Sequence, residues 1–196
     1  MLCFILLKFW VILVKKMARY KEHKNYVKWT KSYLIKLERF KRSGHNIVYM
    51  DETGFAPGTS RSHAYSAKGK RVYGHVDSQT RPRTSLIGGY RDGKLIAPVL
   101  FNGNCNTQTT NVWLKDHLLP KIKRGSVIVM DDASFHKSQE TRNIIKEAGC
   151  FVLFLPPYSP HLNPIEKLWA NIKRAWKYDL ELSLENILIS RKYIWN

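Results

Sequence analysis

The chain is 196 residues long, 44% hydrophobic and 24% charged, with 33 Lys and Arg against 15 Asp and Glu, a formal net charge of +18. That composition supplies enough apolar material for one core and excludes a disordered chain, a collagen and a disulfide miniprotein. Charge this far from zero repels itself in a compact chain unless a polyanion offsets it, which makes nucleic acid the first partner to consider.

In chain order, Met1 to Val14 is almost wholly apolar but is interrupted by Lys8. It is shorter than the roughly 20 residues of a membrane span, and it lacks the basic start and small-residue cleavage site of a signal peptide. It predicts a buried helix or strand, or the upstream edge of a truncated reading frame, and no membrane role. Lys8 to Arg42 carries twelve Lys and Arg and only two Glu, with Tyr26, Val27, Tyr33, Leu34, Leu37 and Phe40 at helical spacing. This predicts one basic amphipathic helix leading into the main domain, packing one face on the core, contacting DNA, or both.

After Ser43-Gly44 the pattern changes to short β-rich runs: Asn46 to Met50, Thr84 to Tyr90 and Leu95 to Phe101. The last two flank Arg91-Asp92-Gly93-Lys94, whose Asp-Gly is a strong hairpin signal. Between the first two lies a long polar stretch, Thr53 to Arg83. It contains Lys68, Lys70 and Arg71, has room for a short strand near Arg71 to His75, and is read as an exposed loop whose charge suits phosphate contact. A helix around Thr109 to Leu119, a strand Ser126 to Met130, a helix Ser138 to Ala148 ended by Gly149, and a strand Phe151 to Leu155 follow. Antiparallel strands followed by β-α-β alternation predict an α/β fold with a mixed sheet and helices on its faces. One domain over residues 46–180 accounts for it, preceded by a basic linker region (1–45) and followed by a short tail (181–196). Cys3, Cys105 and Cys150 are odd in number and widely separated, which predicts a reducing compartment and no structural zinc.

Two apolar strands run into acids: Ile47 to Met50 into Asp51-Glu52, and Val127 to Met130 into Asp131-Asp132. Ligands of α/β sheets sit at neighbouring strand tips, so these acids are placed to converge, although Asp after a strand is also a common turn starter. A third acid, Glu166, follows Asn163-Pro164-Ile165 in a capping-box pattern: Asn163 as N-cap, Pro164 at the first helical position, then Leu168, Trp169, Ile172 and Trp176 on an apolar face. Capping alone would explain Glu166, yet a first-turn carboxylate also feels the helix dipole, stays ionised and can face the sheet tips. Three clustered carboxylates in so basic a protein make sense if they hold hard cations, Mg²⁺ or Mn²⁺. Two such ions about 4 Å apart would drive in-line phosphoryl displacement. Read from its residues, the chain performs metal-dependent phosphodiester chemistry on nucleic acid.

Asp51-Glu52-Thr53-Gly54-Phe55, Met130-Asp131-Asp132-Ala133-Ser134-Phe135-His136-Lys137-Ser138 and Pro157 to Trp169 together resemble the three blocks of a DDE transposase of the mariner-type superfamily, in its bacterial insertion sequence 630 branch. The third block is highly specific, and the resemblance covers about Lys15 to Tyr178. It implies Asp51, Asp131 and Glu166 as catalytic acids and metal ligands. Thirty-four residues lie between Asp131 and Glu166, the interval of this branch, which selects Asp131 over Asp132. Relatives usually carry Asn where this chain has Asp132, which leaves that residue as a supporting or spare acid. His136, Lys137, His161 and Asn163 are further candidates for contacts to phosphate or to the catalytic acids; the two histidines would equally cap local turns.

The resemblance also implies an RNase H-like fold, with the first Asp on the central strand, the second after the fourth strand and the Glu on a following helix. The implied reaction is nicking at transposon ends, then attack of the freed 3′-hydroxyl on target DNA at a TA dinucleotide, with two Mg²⁺ or Mn²⁺ ions and no covalent protein intermediate. Transposon-end and target DNA would be the partners, with a homodimer or a helix-turn-helix-bearing partner frame completing the assembly in the bacterial cytoplasm. Relatives carry such a reading region ahead of the catalytic domain, and the sequence has none, which makes a truncated fragment that binds DNA or interferes with an intact transposase the alternative function. An RNase H or junction-resolving nuclease is a further rival, in which the Pro-Tyr-Ser-Pro block is not expected. A structural basic protein of the ribosomal kind would leave the three acids unrelated in space.

Overall fold

The computed structural model describes residues 25–55, 70–71, 73, 83–178 and 183–190. The expectations for Met1 to Val14, for the first part of the basic helix, for Lys68 and for most of the strand near Arg71 to His75 lie outside the described residues. Lys70, Arg71 and Tyr73 are described and belong to no strand.

Among the described residues five strands form one sheet: β1 (Ile47–Phe55), β2 (Thr84–Arg91), β3 (Lys94–Asn102), β4 (Val127–Met130) and β5 (Phe151–Phe154), in the order β3-β2-β1-β4-β5. The first three are antiparallel, whereas β4 joins β1, and β5 joins β4, in parallel. The Asp92-Gly93 turn has positive φ at both residues, as a tight hairpin requires. Pairing of β2 with β3 slips between Ile87 and Gly89. Opposite that slip Ala97 adopts φ 51°, and its carbonyl accepts the Trp113 indole N–H at 2.8 Å.

Alternating side chains send the sheet's two faces to different helices. On one face Val48, Met50, Ile87, Ile128 and Met130 pack against Trp113, Leu114, Leu118, Ile144 and Ile145. These belong to α2 (Thr107–Trp113), its π-helical continuation Leu114–Leu118, and α3 (Gln139–Glu147). Asn106 caps α2 through Thr109 N–H, and Ser138 caps α3 through Thr141 N–H. On the other face Val127, Val129, Leu153 and Leu155 meet Tyr33 and Leu37 of α1 (Tyr26–Arg42). Phe55 and Leu86 on that side meet Ile165, Leu168, Trp169 and Ile172 of α4 (Ile165–Tyr178). This is the mixed sheet with helices on both faces that the chain order predicts.

Four details differ from the sequence reading. β1 runs on to Phe55, so Thr53 to Phe55 are paired with β2 and Thr53 and Phe55 are buried, not part of an exposed loop. In α1 the buried residues are Tyr33 and Leu37, while Val27 and Leu34 are exposed, because the helix lays only a narrow stripe on β5. The helix expected over Thr109 to Leu119 starts at Thr107 and widens into a π turn before Pro120, which removes a donor and ends it in a 3-10 turn. The region read as a tail holds a helix, α5 (Leu184–Ile189), whose Leu184 and Ile187 are buried against α4. Among the described residues no helix is long and apolar enough to cross a membrane.

Candidate active site

The β1–β4 ladder ends at the pair Tyr49↔Val129. Two residues further along the chain from each stand Asp51 and Asp131, so the register carries both acids to the same end of the β1–β4 pair. Asp131 lies just past the end of β4, as its sequence suggests. Asp51 does not end a strand: β1 continues to Phe55 because β2 pairs with it as far as Phe55↔Thr84, leaving Asp51 opposite Gly88 in mid-strand. It is at a strand tip only with respect to β4, whose own ladder has stopped.

Glu166 arrives from the first turn of α4. The expected capping box does not form. Among the described residues Asn163 Oδ1 is buried without a hydrogen-bond partner, and the Asn163 N–H donates to Pro160 O at 3.0 Å rather than to Glu166. The Glu166 N–H donates instead to the Asn163 main-chain carbonyl at 3.2 Å, so the Glu166 carboxylate is not engaged in a cap. Pro164 directly precedes the helix, one residue outside the expected position.

Asp51, Asp131 and Glu166 line one cleft, together with Asp132, Ala133, Asn163 and the turn Leu155 to Pro160. Tyr158 in that turn has φ 56° and stands 62% exposed at its rim. Asp51 is the deepest acid. Its Oδ1 accepts the Glu52 N–H at 2.9 Å and its Oδ2 accepts the Trp169 indole N–H at 3.2 Å. A side chain at Gly88 would bring its Cβ to 3.2 Å from the Trp169 ring and 2.9 Å from Leu95, so glycine there leaves the indole its place beside Asp51. Burial first, then the negative charges of Glu166, Glu52 and Asp131, push the Asp51 carboxyl up to about 8, outweighing the Glu52 N–H. Glu166 is exposed as a residue, yet its carboxyl is also raised, by partial desolvation and then by Asp131, with Lys173 acting in the opposite direction.

The remaining candidates divide. Asp132 is in the cleft and is paired by Lys137 Nζ at 2.7 Å, which makes Lys137 its counter-ion. His136 is 1% exposed, with Nε2 3.3 Å from Asp131 Oδ1 and 3.5 Å from Glu52 Oε2. His161 Nε2 lies 3.2 Å from Tyr26 Oη, joining the third block to α1 beside a neighbouring groove rather than in the cleft. Lys70 and Arg71 are exposed and do not line the cleft. Sequence reasoning passed over two residues that touch the acids. Glu52 was legible as the neighbour of Asp51 on the opposite sheet face. Trp169, three residues after Glu166, shares its helix face but reads as core.

The donor set is chemically suited to a hard divalent cation: carboxylate oxygens only, with mutual repulsion that a cation would relieve. Among the described residues no three His, Cys, Asp or Glu side chains already surround one point as a metal centre. The acids line a shared cleft without closing on a common position.

A family model described as DDE superfamily endonuclease matches residues 46–187, from the start of β1 into α5. A curated relative, the insertion element IS630 uncharacterized 39 kDa protein of Shigella sonnei, is 34% identical over 70 residues, which is 34% of this chain and 20% of that protein. The structure is similar to the Mos1 strand transfer complex, with a TM-score of 0.66 at 19% identity over 94% of this chain and 62% of the Mos1 chain. It is likewise similar to the mariner Mos1 paired end complex with Mg, with a TM-score of 0.68 at 18% identity over 93% of this chain and 61% of that one. At such identities the likeness is one of fold, and the chain spans less than two thirds of either relative's length.

Proposed function

The chain belongs to the DDE superfamily endonucleases, and from that membership we propose that it is a transposase catalytic domain that cuts DNA and transfers its strands with the help of divalent metal. One observation carries the reading: Asp51, Asp131 and Glu166, from a central strand, a strand end and a helix start, line one cleft in a protein of net charge +18. An acidic cleft in so basic a chain has a use if the surface holds phosphates while the cleft holds cations. Bound Mg²⁺ or Mn²⁺ would supply activation of the attacking oxygen and stabilisation of the leaving oxygen.

The chain's own residues have separable tasks in this reading. Asp51 and Asp131, brought to one cleft by the order of their strands, are the paired ligands. Glu166 completes the set from a helix whose N-terminus favours negative charge. Trp169 orients Asp51 through Oδ2. The Asp132–Lys137 pair leaves Asp132 partly neutralised at the cleft edge. DNA, as transposon ends and target, is the proposed substrate, and the Mos1 complexes support it by their fold alone.

The test is metal-dependent nicking of duplex DNA carrying the element's ends, with Asp131→Asn and Glu166→Gln beside the native chain. Cleavage in Mg²⁺ or Mn²⁺ that both substitutions abolish supports the reading. Equal cleavage by both variants overturns it. A second reading is a DNA-binding fragment that does not turn over. It predicts salt-sensitive DNA binding with no cleavage at any metal concentration.

A further inference from the structure

His136 sits where a contact to DNA cannot reach it. It is 1% exposed, in the 3-10 turn Ser134–Lys137 that follows the Asp131 loop. The residue is held from several sides. Phe135 packs on its ring at 4.2 Å between centroids, its backbone N–H donates to Ala133 O at 3.1 Å, and Thr107 Oγ1 donates to Phe135 O at 3.1 Å, tying the turn to α2. Its Nε2 faces Asp131 Oδ1 at 3.3 Å and Glu52 Oε2 at 3.5 Å. Among the described residues Glu52 Oε2 and His136 Nδ1 are buried and have no hydrogen-bond partner, so the Glu52 contact is one of proximity.

Topology makes this arrangement consequential. Strand alternation places Asp51 on the α4 side of the sheet and Glu52 on the α2 side. Asp131 lies beyond β4 on a loop, where nothing in the β ladder fixes its side chain. Among the described residues its Oδ1 receives the Ala133 N–H, at 3.1 Å, and the approach of His136. We propose that His136 is a positioning residue: its Nε2–H, braced by Glu52 of the rigid central strand, fixes the orientation in which Asp131 enters the acidic cleft. Glu52, His136 and Asp131 then form a relay from β1 to the loop acid. Asp51, also on β1, and Asp131 are thereby referenced to the same strand. This inference rests on the reading of the cleft as a divalent-cation site.

The experiment is calorimetric titration of the full chain with Mn²⁺, together with thermal melting, for native protein, His136→Asn, His136→Gln, Asp131→Asn and the Asp131→Asn/His136→Asn double variant. Gln carries its amide nitrogen near the place of Nε2, whereas Asn stops near Nδ1; neither adds charge. His136→Asn should weaken Mn²⁺ binding about 10–100-fold, as the loss of a partner behind a metal ligand does. His136→Gln should restore most of that loss. The double variant should bind no more weakly than Asp131→Asn, because the histidine acts only through that acid.

A folded His136→Asn that binds Mn²⁺ like the native protein overturns the positioning role and leaves the cation site standing. Absence of Mn²⁺ binding by the native chain overturns the cation site, and this inference with it. Should His136→Asn not melt cooperatively, ¹⁵N–¹H imidazole correlation spectra of the native protein decide. A proton on Nε2 protected from exchange supports the relay, and an unprotonated Nε2 overturns it.

Discussion

The Trp169 indole N–H donates to Asp51 Oδ2 at 3.2 Å, so a tryptophan that is 2% exposed in the α4 core also sets the direction of the deepest acid in the cleft. Core packing and site geometry are thus joined in one side chain. Gly88, opposite Asp51 on β2, leaves the room that the indole occupies.

Trp169→Phe keeps an aromatic ring in the core but removes the donor. A hydrogen bond to an acid of this burial stabilises by about 1–2 kcal/mol. The expected result is a loss of that size in urea denaturation, together with weaker Mn²⁺ binding. Unchanged metal affinity in the folded variant would show that Asp51 is oriented by its backbone alone.

The Asp51 carboxyl, at about 8, sits above the ordinary value of 3.8. The folded state therefore holds a proton that the unfolded chain has released. Stability of the metal-free protein from this group is fully present below about 4 and is lost as pH rises toward 8. Melting temperatures measured across that window should fall with pH in the native chain more steeply than in Asp51→Asn. Mn²⁺ binding at pH 7 should release protons, giving an observed heat that changes with the ionisation enthalpy of the buffer.

Ile187 of α5 is 0% exposed and packs with Leu184 on the α4 cluster. If this helix belongs to the folded unit, Ile187→Ala should cost about 2–5 kcal/mol, the range for deleting a buried aliphatic side chain. Chemical denaturation of the variant checks it; a change below about 0.5 kcal/mol, the scale of surface substitutions, would make α5 an appendage.

Lys28 and Lys31 are exposed on α1, and the buried face of that helix is set by Tyr33 and Leu37. If they touch phosphates, changing both to Gln should lower DNA affinity for every sequence alike. It should also flatten the dependence of log affinity on log salt by about 2, roughly one for each phosphate no longer neutralised. An unchanged slope would assign α1 to packing only.

Much of the fold was legible in sequence because its signals are local. The apolar runs of β4 and β5, the Asp92-Gly93 turn, the Ser138 cap and the positive-φ Gly149 each act over a few residues. The basic stripe was legible too, although Val27 and Leu34 at helical spacing proved exposed. Spacing says which residues share a helix face, not how wide a surface that face meets.

The sequence by itself determined the acids, their order and the elements that carry them, because charge, β-propensity and chain order are written along one dimension. Only the tertiary structure decided what those acids face. The Tyr49↔Val129 register carries Asp51 and Asp131 to the same end of the β1–β4 pair, the buried Asn163 Oδ1, unpartnered among the described residues, leaves Glu166 out of a cap, and the π turn and buried α5 follow from packing. Glu52 and Asp51 are adjacent in sequence yet serve opposite faces of the sheet, and His136 meets Glu52 across 84 positions of chain. Such pairings depend on strand register and on which helix covers which face, quantities that exist only once distant segments have folded together.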